Sequence, residues 1–119
     1  MALRVVVNLA KQNKKETFEL LKKWTTSKNK WIKRLAMATI APYIRAKPNE
    51  AKLCLEVVEK LMHEGDKNVR KAIAWALREI SKKDPKTAHE FLQRYASSED
   101  VNTRWIVREG SKKLLERET

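Results

Sequence analysis

Glycine and proline are scarce: two Gly and three Pro in 119 residues. So few turn-formers exclude a fold built on tight β-hairpins. The single cysteine, Cys54, excludes an internal disulfide. It lies in Leu53-Cys54-Leu55, close to Val57, Val58 and Leu61, where a buried core thiol is expected. No apolar run approaches the length of a membrane span. The opening Met1-Ala2-Leu3-Arg4-Val5-Val6-Val7 is too short for a signal peptide. A cytoplasmic protein without membrane attachment is expected. His63 and His89 have no Cys, His or carboxylate neighbours at ligand spacing, so no metal site is expected. A Gly-rich phosphate loop and a nucleophile elbow are missing too, and no cofactor is expected.

Acidic residues are the minority. Fifteen Asp and Glu stand against 27 Lys and Arg, a net charge of +12. That excess attracts polyanions: nucleic acid first, an anionic membrane surface second. The bland alternative is a Lys-rich solvated surface. What remains is rich in Ala, Leu, Lys, Arg and Glu, all good helix formers. The length fits one all-α domain over residues 1–119.

The helices repeat. Ile32-Lys33-Arg34-Leu35-Ala36 returns 37 residues later as Val69-Arg70-Lys71-Ala72-Ile73, and 34 further on as Thr103-Arg104-Trp105-Ile106-Val107. An amphipathic stretch precedes each, with Leu20, Val57 and Phe91 in one column and Trp24, Leu61 and Tyr95 four residues on. The unit is helix A, polar turn, helix B. The expected architecture is a right-handed α-α superhelix of three HEAT-like helix pairs: residues 13–47, 48–83 and 84–118, after a partial hairpin at 1–12. Asp84-Pro85 reads as a cap followed by a first-turn proline, and Pro48 plays a similar part.

Columns of the repeat carry charge. Asn29, Asp66 and Asp100 form one; Lys33, Arg70 and Arg104 form another. An Asp/Arg bond between neighbouring repeats would use these bases structurally. Val6, Leu9 and Asn13 align with Leu77, Ile80 and Asp84, so residues 3–12 read as the end of a B helix lacking its A helix. A terminal repeat needs a polar outer face. A second copy or a partner chain is therefore expected to cover this end, or the chain to be a fragment of a longer solenoid, unless helix 1 tucks onto the first full repeat.

Successive B helices line the inner, concave face of such a stack. Lys71, Trp75 and Arg78 form one stripe; Arg104, Arg108 and Lys112 form another. Arg34 shares the column of Lys71, as does Trp105. The candidate nucleic-acid-binding set is Arg34, Lys71, Trp75, Arg78, Arg108 and Lys112. Arginine and lysine there bond phosphate, and a tryptophan stacks on a base or sugar. Trp75 reads equally as a core residue. Trp24 and Trp31 are expected in the core.

Two blocks carry a family resemblance: Trp24-Thr25-Thr26-Ser27-Lys28-Asn29-Lys30-Trp31-Ile32-Lys33-Arg34, and Lys71-Ala72-Ile73-Ala74-Trp75-Ala76-Leu77-Arg78-Glu79-Ile80-Ser81-Lys82-Lys83-Asp84-Pro85. They resemble the C-terminal part of the DNA alkylation repair family, HEAT-like-repeat glycosylases that act on alkylated purines. Asn102-Thr103-Arg104-Trp105-Ile106-Val107-Arg108 resembles a related branch. The resemblance implies that Arg34 contacts DNA phosphate, that Trp75 packs beside the damaged nucleotide, and that Arg78 is the base one turn later. Ala74 stands where the family has Gly. The family's catalytic Asp lies about one hairpin before the Trp24 block, so no catalytic residue is expected here and the question of enzyme activity stays open. A glycosylase would use that carboxylate to stabilise charge on the sugar.

The expected function is DNA binding by a HEAT-like protein related to alkylation repair. One alternative is an alkylpurine glycosylase completed by a further segment or partner. Another is a scaffold for an acidic protein, since fold alone does not decide function.

Overall fold

The computed structural model describes residues 14–112 and residue 114. The expected partial hairpin at 1–12 lies outside the described residues. Among the described residues the order is α1 (Lys14–Thr25), α2 (Lys30–Ala46), a 3-10 turn (Pro48–Glu50), α3 (Ala51–Glu59), α4 (Lys67–Lys83), α5 (Pro85–Gln93) and α6 (Val101–Gly110). No strand occurs among them.

Local chemistry sets the starts. Each B helix begins at a side-chain cap. Asn29 accepts from the Trp31 N–H at 2.8 Å, Asp66 from Val69 at 3.0 Å, and Asp100 from Thr103 at 3.0 Å. Such caps satisfy first-turn donors that have no partner within the helix. Asp84 caps α5 through Thr87, with Pro85 at the first helical position. Pro48 instead opens the 3-10 turn that delivers the chain to α3.

The helices stack as two layers. α1, α3 and α5 form one; α2, α4 and α6 form the other, with α4 packed against α2, α3, α5 and α6. This is the HEAT-like helical solenoid that the repeat predicts. Between the layers lie Leu21, Met37, Ile40, Ile44, Val57, Val58, Met62, Ile73, Leu77, Ile80 and Ile106, all fully buried. Phe18 meets Tyr43 edge to face at 5.1 Å. Cys54 is buried, and burial pushes its thiol up to about 12, so it is a core group as expected. Pro42 sits inside α2. It has no N–H to give the Ala38 carbonyl, one turn earlier.

Hairpins are tied by specific bonds. The Thr103 hydroxyl donates to the Met62 carbonyl at 2.7 Å. Lys33 pairs with Glu64 at 2.8 Å. Arg45 and Lys82 both hold the buried carboxylate of Glu79, at 2.6 and 3.2 Å. No described helix is long and apolar enough to cross a membrane.

Candidate nucleic-acid interface

A groove of about 470 Å³ runs between α2 and α4 on the B-helix face. Trp31, Arg34, Leu35 and Ala38 line it from α2; Asn68, Lys71, Ala72 and Trp75 line it from α4. Each set occupies i, i+3, i+4 and i+7, a single helical stripe. The two sets are the same four repeat columns, 37 residues apart. The repeat that built the fold therefore built the groove. Its floor is apolar (Leu35, Ala38, Ala72), its charged groups are Arg34 and Lys71, and its lining includes no carboxylate.

Tryptophans flank it. Trp75 is 36% exposed and Trp31 is 62% exposed. The expectation that Trp31 belongs to the core is thus corrected. It stands in the first turn of α2, and the Arg34 guanidinium lies 4.9 Å from its ring centre, with Lys30 Nζ at 6.0 Å. That is cation–π geometry. Trp24 packs half-buried on the core, as expected. Trp105 is half-buried as well, with the Arg70 guanidinium 5.1 Å from its ring.

The ladder chemistry differs from expectation. Asn29, Asp66 and Asp100 spend their side chains capping helices. Lys33 pairs with Glu64, and Arg70 stacks on Trp105 with its Nε buried and unbonded. Among the described residues no ion pair joins Asp66 or Asp100 to Arg70 or Arg104. These carboxylates are taken up by first-turn N–H groups of their own helices. The Val69 N–H, with smaller help from the Asn68 N–H and then from the charges of Lys30 and Arg34, holds the Asp66 carboxyl below its ordinary range against the opposing effect of burial.

Of the six expected binding residues, Arg34, Lys71 and Trp75 meet in the groove. Arg78 lies outside its lining and donates from Nη1 to the Glu109 carbonyl at 3.2 Å. Lys112 pairs with the Glu109 carboxylate at 2.9 Å, and Arg108 is exposed on α6. Trp31 and Asn68 are groove residues that the stripe argument missed. The signal was present: shifting Trp31 by 37 residues gives Asn68, a polar position in a B helix.

A second groove, about 420 Å³, lies between α3 and α5. It is more enclosed, but Glu56, Glu59 and Glu90 line it with Lys52 and Arg94. Three carboxylates repel phosphate, so this groove has the wrong sign for nucleic acid. No group of three or more His, Cys, Asp or Glu able to hold a metal occurs among the described residues.

The family model described as DNA alkylation repair enzyme matches residues 1–114. No curated protein matches the sequence. Among solved structures, the chain is similar to alkylpurine DNA glycosylase AlkC from Pseudomonas fluorescens, bound to DNA containing an abasic site analog. The TM-score is 0.82 at 22% identity, over 97% of this chain and 34% of that one. The chain thus spans about a third of that glycosylase's length. The likeness is one of fold, and the family model covers nearly the whole chain: it belongs to the DNA alkylation repair enzyme family.

Proposed function

We propose that this chain binds DNA through the B-helix face, with the α2–α4 groove as the centre of contact. The observation that carries this reading is the groove's composition: two cations and two exposed tryptophans over an apolar floor. Arg34 and Lys71 offer donors to phosphate oxygens, and Arg can do so bidentately. The net charge of +12 adds long-range attraction. The solved AlkC structure holds DNA, which supports the same partner for a chain of like fold.

The carboxylates around this face are otherwise engaged. Glu79 is held by Arg45 and Lys82, Glu109 by Lys112, and Asp66 and Asp100 cap helices. In this reading the chain's own contribution is to hold DNA, and these carboxylates serve its structure. A second reading is favoured by the AlkC likeness: excision in concert with further polypeptide, of which this chain is the DNA-holding part. Release of alkylated base by the purified chain would replace the first reading with an independent glycosylase.

A salt titration of duplex binding tests the proposal. Log affinity is expected to fall linearly with log salt, by about 0.9 per phosphate contacted. Replacing Arg34 and Lys71 together by Ala is expected to lower that slope by roughly 2. Replacing Lys22 and Lys23 on α1 is expected to change it less. No binding at low salt, or equal losses from both pairs, overturns the reading.

A further inference from the structure

We infer that the α2–α4 groove takes an unpaired nucleotide, with Trp31 as a stacking platform, so that single-stranded or gapped DNA is held more tightly than intact duplex. The inference rests on the DNA-binding reading and deepens it.

Trp31 carries the argument. A tryptophan buries a large apolar surface when it folds inward. This one leaves most of that surface in water, at the edge of a groove that also presents Trp75. Phosphate binding does not require it: Arg34 and Lys71 supply charge without an indole. An exposed indole face beside two cations suits a ligand that is flat, apolar on its faces and attached to an anion. A nucleotide has that chemistry. In an intact duplex the faces of a base are covered by its neighbours, and only the edges and backbone are open. A strand end, a gap or a single strand uncovers the face. The Arg34 guanidinium lies over the Trp31 ring at 4.9 Å, with Lys30 Nζ farther off at 6.0 Å, and this cation–π contact orients the indole before any ligand arrives. The same guanidinium belongs to the groove lining, so one residue can orient the platform and meet the phosphate of the stacked nucleotide.

The groove is also the right kind of space. Its volume of about 470 Å³ lies within the ordinary range for small-ligand sites, and no carboxylate lines it to repel the phosphate. The more enclosed α3–α5 groove lacks a tryptophan and carries three glutamates.

The test compares three probes at one salt concentration: an oligothymidine strand, an intact duplex, and the same duplex with a one-nucleotide gap. Binding is followed by anisotropy of a labelled strand and by quenching of tryptophan fluorescence. The strand and the gapped duplex are expected to bind more tightly than the intact duplex, and to quench. Trp31→Ala is expected to weaken strand binding about tenfold, to weaken intact-duplex binding by clearly less, and to keep the salt slope. Trp31→Phe is expected to restore much of the loss. Because Trp31 is exposed, circular dichroism of the variants should match the parent. Equal binding of all three probes, or an equal loss on strand and duplex in Trp31→Ala, overturns the inference and leaves DNA binding intact. Failure of every probe at low salt overturns the DNA-binding reading itself, and this inference with it.

Discussion

Arg78 reaches across from α4 to the main-chain carbonyl of Glu109 on α6, 3.2 Å away. The bond sits at the crossing that joins the last two hairpins. It occupies a guanidinium that the sequence pattern offers to DNA. A bond from a charged donor to a carbonyl contributes about 1.5–3 kcal/mol. Arg78→Ala is therefore expected to lower unfolding stability by about that amount, read by urea titration. Its effect on duplex affinity should be smaller than that of Arg34→Ala, measured in the same buffer. A larger loss of affinity than of stability would return Arg78 to the binding face.

The residue beside Arg78 makes a tighter contact. A Cβ at Gly110 would lie 2.9 Å from Leu77 Cδ1 and 3.0 Å from Leu77 Cβ. Glycine here lets α6 approach α4. In an open helix, Gly to Ala gains about 1 kcal/mol from propensity. Here overpacking opposes it, at a cost of about 1–3 kcal/mol. The Cβ contact involves an atom fixed to the backbone, so rotamer change alone cannot relieve it. Gly110→Ala is expected to lower the melting temperature, and Gly110→Val to lower it further.

Glu79 links α2 to α4 through Arg45. Burial raises its carboxyl pKa, but the hydrogen bonds from Arg45 and Lys82 outweigh burial and leave it below the ordinary 4.5. A carboxyl with a lowered folded pKa stabilises the fold above its unfolded pKa. That stabilisation is lost as pH falls through the folded value. Glu79→Gln is expected to cost about 1–2 kcal/mol at neutral pH. The gap between variant and parent should narrow as pH falls below 4.5 and close once it passes the lowered folded value, in chemical denaturation across a pH series. A gap that is constant with pH would show that the ion pairs contribute nothing.

Much of this was legible because it is local. A cap acts within one turn, so Asn29, Asp66, Asp84 and Asp100 mark helix starts in the sequence and in the structure alike. The 37- and 34-residue spacings between equivalent positions placed Arg34, Lys71 and Trp75 on one layer. What failed depends on neighbours. Periodicity counts Trp31 as apolar, but its burial turns on what stands beside the first turn of α2. Stripe membership puts Arg78 with Lys71 without saying which adjacent helix a long side chain will reach. The Asp columns align with the Arg columns, yet capping had already taken the carboxylates.

Asp66 offers the sharpest separation of fold from binding. Its carboxylate caps α4 and also feels Lys30 and Arg34 beside the groove. Asn caps a helix as well as Asp but carries no charge. Asp66→Asn is therefore expected to lower the melting temperature only slightly, through loss of the charge that the helix start favours, and to raise duplex affinity about two- to fivefold at low salt, as Arg34 loses an opposing charge. The gain should fade at high salt, where exposed charges are screened. Asp66→Ala removes charge and cap together. It should bind as well as Asp66→Asn but melt at a lower temperature. If Asp66→Asn bound no better than the parent at low salt, Arg34 would not be meeting phosphate, and the groove would lose its principal cation.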